Sequence, residues 1–133
     1  MGLSDVLEIV CTTDPGMVRS HNEDSVYASA DVGVVVLADG MGGYNAGEVA
    51  SGMATALLGS RLAESFEAIP AYAEVADGVC QAAVALEQEV AAANLSIFNA
   101  AQSQPQYAGM GTTLVVAVYH DDAMTVAHIG DSR

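Results

Sequence analysis

The sequence predicts an α+β fold built in layers. Apolar runs of β type lie towards both ends of the 133-residue chain. Between them, two long stretches carry apolar residues at helical spacing. Strands gathered before and after the helices, rather than alternating with them, argue for stacked layers over a βαβ arrangement.

Val6 to Thr13 is β-prone and closes at the turn Asp14-Pro15-Gly16, predicting a first strand. A polar loop, Arg19-Ser20-His21-Asn22, leads through Glu23-Asp24 into the short strand Ser25 to Ala28. Asp31-Val32-Gly33 reads as a tight connection to Val34-Val35-Val36-Leu37-Ala38, an apolar run of the kind a buried strand shows. From about Ala46 the period changes. Val49, Met53, Leu57, Leu58, Leu62 and Phe66 predict a helix that Pro70 stops. Its small residues, among them Gly47, Ala50, Ser51, Ala54 and Gly59, allow very close packing. Val75, Val79, Ala83, Leu86, Val90 and Ile97 predict a second helix over Tyr72 to Ala100, roughly 43 Å long at 1.5 Å per residue. Joined by a proline turn, the two should form an antiparallel pair. Gly111-Thr112-Thr113 opens two last strands, Leu114 to Tyr119 and Met124 to Ile129, turning at Asp121-Asp122. The chain ends on Gly130-Asp131-Ser132-Arg133 with no closing element, so residues 1–133 are expected to be the N-terminal part of a single, truncated domain. Uncovered sheet edges make self-association plausible.

Composition narrows the function. Seventeen Asp and Glu face three Arg and no Lys, for a net charge of −14. That excludes a nonspecific grip on nucleic acid, which needs basic residues on phosphates, and disfavours anionic membranes. No apolar run reaches the ~18 residues of a membrane span, and Asp5 and Glu8 stand where a signal peptide would be basic and apolar, so the chain reads as cytoplasmic. Cys11, in a predicted strand, and Cys80, in a predicted helix, are expected to be buried free thiols.

The chemistry concentrates at Asp39-Gly40-Met41-Gly42-Gly43. A carboxylate at a strand end beside bare backbone suits a hard cation, which takes oxygen ligands from both sources. Nucleotide loops fail here: Gly42 to Gly47 has P-loop spacing, but Glu48 stands where Lys is needed. The dinucleotide fingerprint needs a third glycine where Asn45 stands. Asp39 can offer two oxygens, enough to bridge two divalent ions. Glu23 and Asp24 are adjacent, so in an extended segment only one faces Asp39; Glu23 is expected to be the direct ligand and Asp24 to act through water. Arg19 has the planar fork that suits phosphate, although pairing with Asp14 or Glu23 is the commoner fate of such a residue. His21 reads as a solvated loop histidine, and His128 as a sheet residue.

The motifs occur in a fixed order: Arg19-Ser-His-Asn-Glu23-Asp24, the strand into Asp39-Gly40-Met41-Gly42-Gly43, then Gly111-Thr112-Thr113, then His128-Ile-Gly130-Asp131-Ser132-Arg133. In this the chain resembles the metal-dependent (type 2C) protein phosphatases, particularly the short bacterial members, from about Thr13 to its last residue. The resemblance implies part of a four-layer α-β-β-α sandwich, two stacked, mostly antiparallel sheets between antiparallel helix pairs. It implies hydrolysis of phosphoserine and phosphothreonine in proteins by in-line attack of a metal-activated hydroxide, with Mn²⁺ or Mg²⁺ as two, in some members three, ions. Carried over by position, Asp39 bridges two ions, Glu23 and the Gly40 carbonyl hold one of them, and Asp24 reaches the site through water. Arg19 then binds substrate phosphate and Asp131 helps bind a third ion. Partners would be phosphorylated proteins, a Ser/Thr kinase among them.

Two departures qualify this. Met41 stands where many eukaryotic members carry a His, which leaves the proton donor to the leaving group unassigned. The family's remaining metal-binding aspartates lie downstream of Gly-Asp-Ser-Arg, so residues 1–133 alone are expected to turn over little or nothing. The alternative reading is a non-catalytic fragment or pseudophosphatase that serves as a binding module.

Overall fold

The computed structural model describes residues 2–133. Strands β1 (Asp24–Ser29) and β2 (Val34–Met41) form a hairpin, followed by helix α1 (Ala46–Ala68). A small hairpin, β3 (Glu74–Ala76) and β4 (Val79–Cys80), precedes helix α2 (Gln81–Ser103). The chain closes with β5 (Gly111–Thr112), β6 (Leu114–His120) and β7 (Ala123–Ile129). The main sheet is antiparallel in the order β1-β2-β6-β7, with β5 paired to the end of β2.

The register divides the sheet into two faces. Ser25 lies opposite Ala38, Tyr27 opposite Val36, Val36 opposite Val116 and Val34 opposite Val118. These residues face the helices. Val34, Val36, Val116 and Val118 are fully buried there against Leu58 and Leu62 of α1. Close approach explains the small residues of α1: the Tyr27 ring lies on Gly59, where an added Cβ would come within 2.8 Å of it. Ser25 and Thr55 also pair their hydroxyls at 2.8 Å, tying β1 to α1. The helices run antiparallel, since Gln81 at the start of α2 donates to Ser65 near the end of α1, while Ala46 and Ala50 pack near Ile97 and Ala100.

Alternation puts Val26, Val35, Leu37, Val115, Ala117, Met124 and Val126 on the other face. That face is apolar and open: Leu37, Met124 and Val126 are 44%, 52% and 47% exposed. The helix pair and this sheet are thus two adjacent layers of the expected sandwich.

Three expectations need correction. Val6 to Thr13 forms no strand. Among the described residues no strand pairs with it, and Val6 and Val10 are exposed, so β propensity has no sheet to act on. The second helix begins at Gln81 rather than Tyr72, because Gly78 at φ +72° breaks the periodic stretch into the β3–β4 hairpin. Both cysteines are free, but Cys11 is exposed on the irregular N-terminal segment and Cys80 is half-buried just ahead of α2.

Candidate metal and phosphate site

At one end of the main sheet, the register sets Asp24 of β1 directly opposite Asp39 of β2. Both side chains leave the face turned away from the helices. The loop before β1 folds over this strand end, and Asp14, Arg19, His21, Asn22, Glu23, Asp24 and Asp39 line a cleft of about 270 Å³. Asn22 shapes the loop: its amide donates to the Thr13 hydroxyl at 2.8 Å, and its carbonyl oxygen accepts the Asp24 N–H at 3.0 Å.

The sequence expectation that Glu23 faces Asp39 is overturned: Asp24 does. Glu23 lies one residue earlier and its side chain passes to the other side, under the first turn of α1. Two glycines make the room. A Cβ at Gly47 would overlap the Glu23 carboxylate, and a Cβ at Gly40 would overlap the Gly47 backbone. The Gly40 N–H donates to the Glu23 carbonyl at 3.0 Å, locking the two segments together. Glu23 Oε2 is buried and has no hydrogen-bond partner. A buried, unpartnered carboxylate oxygen is costly unless a cation or a donor meets it, although the positive end of α1 lessens the cost.

Charge collects around Asp39. Its carboxyl is pushed above the usual carboxylate range, first by partial burial, then by the Asp24 charge and a hydrogen bond with Asp24, then by Asp131. Arg19 pulls it the other way. Arg19 is therefore near enough to act on Asp39, yet among the described residues it forms no ion pair; the ion pair present there joins Arg61 to Glu89 at 3.6 Å. The anticipated Arg19 pairing with Asp14 or Glu23 does not form.

Asp131 sits in the turn after β7 and is exposed. His128 lies on edge strand β7 opposite Val115, away from the cleft. Met41 is 66% exposed at the end of β2. Sequence reasoning missed Asp14 and Asn22 as cleft residues, and gave Thr113 no role although its motif stood out. No three carboxylate, imidazole or thiol groups converge on one point among the described residues. What the strand ends present is a close carboxylate pair, a third acid nearby, an orphaned carboxylate oxygen and one unpaired guanidinium.

The chain matches the family model described as Protein phosphatase 2C over residues 18–133, and it belongs to that family. It is 38% identical to the serine/threonine protein phosphatase PstP of Mycobacterium tuberculosis over 96% of its own length and 22% of the relative's. It is also 38% identical to the serine/threonine phosphatase stp of Listeria welshimeri, over 91% of its length and 46% of that protein's. Among solved structures, it superposes on the catalytic domain of PstP in complex with two manganese ions with a TM-score of 0.71 and 38% identity, covering 90% of this chain and 46% of that one. The chain thus spans less than half the length of these relatives.

Proposed function

We propose that these residues are the phosphate- and metal-gripping part of a protein phosphatase that hydrolyses phosphoserine and phosphothreonine using Mn²⁺ or Mg²⁺. One observation carries the reading: the Asp24–Asp39 carboxylate pair, set opposite one another at a strand end beside an unpaired Arg19.

The donors suit such ions in kind. All are hard oxygens, and like charges this close, with a raised Asp39 and an orphaned Glu23 oxygen, are relieved by a divalent cation. Asp39 would bridge two ions, Glu23 and the Gly40 carbonyl would help hold one, Asp24 would support through water or directly, and Asp131 would contribute to a third. When bound, the ions neutralise the phosphoryl group and acidify a water nucleophile. The chain's own work is positioning. Arg19 takes the phosphate oxygens with its two-pronged donor face and orients the ester above Asp39. The Gly40–Glu23 backbone bond keeps the carboxylates from drifting apart as charge builds.

The substrate class is a phosphorylated protein, with a partner Ser/Thr kinase and its targets as the physiological set. A cytoplasmic setting is part of the same proposal; among the described residues no helix is long and apolar enough to cross a membrane. The exposed edge strands β1 and β7 offer a route to self-association.

The test is phosphate release from a phosphothreonine peptide by the protein carrying this sequence. Turnover should require Mn²⁺ or Mg²⁺ and stop with EDTA, and Arg19→Ala should raise KM about tenfold or more, the loss of one charge-assisted contact. Phosphopeptide binding without any metal-dependent turnover would favour the binding-module alternative instead.

A further inference from the structure

The Gly111-Thr112-Thr113 motif has no part in the chemistry above, yet it touches the centre of it. After β5 the ladder is interrupted at Thr113, which belongs to neither β5 nor β6. At that interruption the Thr113 N–H donates to the Asp39 carbonyl at 2.9 Å. Its hydroxyl oxygen accepts the Asp39 N–H at 3.2 Å. One residue therefore satisfies both backbone polar groups of Asp39, the second with a side chain where a regular ladder would use a carbonyl. The same hydroxyl pairs with the Ser132 hydroxyl at 2.7 Å. Ser132 follows Asp131, and the turn carrying both begins at Gly130, whose φ of +88° suits glycine. A Cβ on Gly130 would also stand 3.1 Å from the Thr113 methyl.

We infer that Thr113 is a positioning residue whose backbone N–H and hydroxyl fix the Asp39 peptide and, through Ser132, tie it to the turn that carries Asp131. The inference rests on the metal-phosphatase reading for its consequence, since two acidic strand ends held by one hydroxyl keep a fixed spacing when cations bind or leave. Residues that orient metal ligands in this way cost about 10–100-fold in metal affinity or activity when removed.

Thr113→Val keeps the shape and deletes the hydroxyl, while Thr113→Ser keeps the hydroxyl and deletes the methyl. In Thr113→Val the Mn²⁺ concentration for half-activation should rise about tenfold or more, with KM for the phosphopeptide nearly unchanged. Thr113→Ser should restore Mn²⁺ dependence to within about threefold of the parent. Hydrogen exchange at the Asp39 amide, measured on metal-free protein, should accelerate in Thr113→Val and stay protected in Thr113→Ser. Parental Mn²⁺ dependence and parental Asp39 protection in Thr113→Val would overturn the proposal. So would failure of Thr113→Ser alone, with Thr113→Val behaving as the parent, which would point to methyl packing on Gly130. The exchange measurement decides the clamp without turnover, whereas a parent indifferent to Mn²⁺ would overturn the phosphatase reading itself.

Discussion

At the scale of the residue, Asp39 gathers most of the site's unfavourable electrostatics. A carboxyl whose value rises on folding holds its proton more tightly in the folded chain than in the unfolded one. The metal-free protein is therefore favoured when Asp39 is protonated in acid, and it loses that advantage as pH rises through the raised value. In EDTA, Asp39→Asn is expected to melt at or above the parent at pH 7 and to converge with it below about pH 4. A parent clearly more stable than the variant at pH 7 would show that the repulsion is absent. Asp39 itself was legible in the sequence, because an apolar run ending on Asp-Gly can be read without a partner strand. Which neighbour faces it was not. Glu23 and Asp24 differ by one position, and only the register with β2 sends Asp24 across and Glu23 under α1.

At the scale of the element, the first turn of α1 is shaped by what lies beneath it. Gly47→Ala would ordinarily help a helix by up to about 1 kcal/mol. Here its Cβ falls on the Glu23 carboxylate, so the variant should lose thermal stability and bind Mn²⁺ more weakly. Unchanged Mn²⁺ binding by titration calorimetry would mean that Glu23 does not need its place under the helix. The long helices and the strands of the central hairpin were readable because each has a strong local period. The failures share a physical cause. Val6 to Thr13 has β composition but no strand beside it among the described residues, and composition alone cannot supply a ladder. The β3–β4 hairpin interrupts apolar spacing that continues on either side, and its local signal was the two-residue turn Asp77-Gly78. Thr113 stood out only as part of a motif, since its partners are 74 and 19 residues away in sequence.

At the scale of the whole molecule, the described residues seal one face of the main sheet with helices and leave the other open. Leu58 is fully buried among both layers, and Leu58→Ala should cost about 2–5 kcal/mol in urea unfolding. In residues 1–133 alone, Leu37, on the open face and 44% exposed, should cost well under half of that when changed to Ala. Equal losses would place the core elsewhere. One end of the sheet brings three acidic residues near one another, where β1, β2 and β7 present Asp24, Asp39 and the turn to Asp131. The claim that this end handles a metal and a phosphate stands or falls on Asp39. The most direct test is kcat for Mn²⁺-dependent dephosphorylation of a phosphothreonine peptide, measured for the protein carrying this sequence and for its Asp39→Asn variant. A fall of about a thousandfold or more, with the fold retained by circular dichroism, is the expected result; a variant that turns over at near-parental rates would contradict the account.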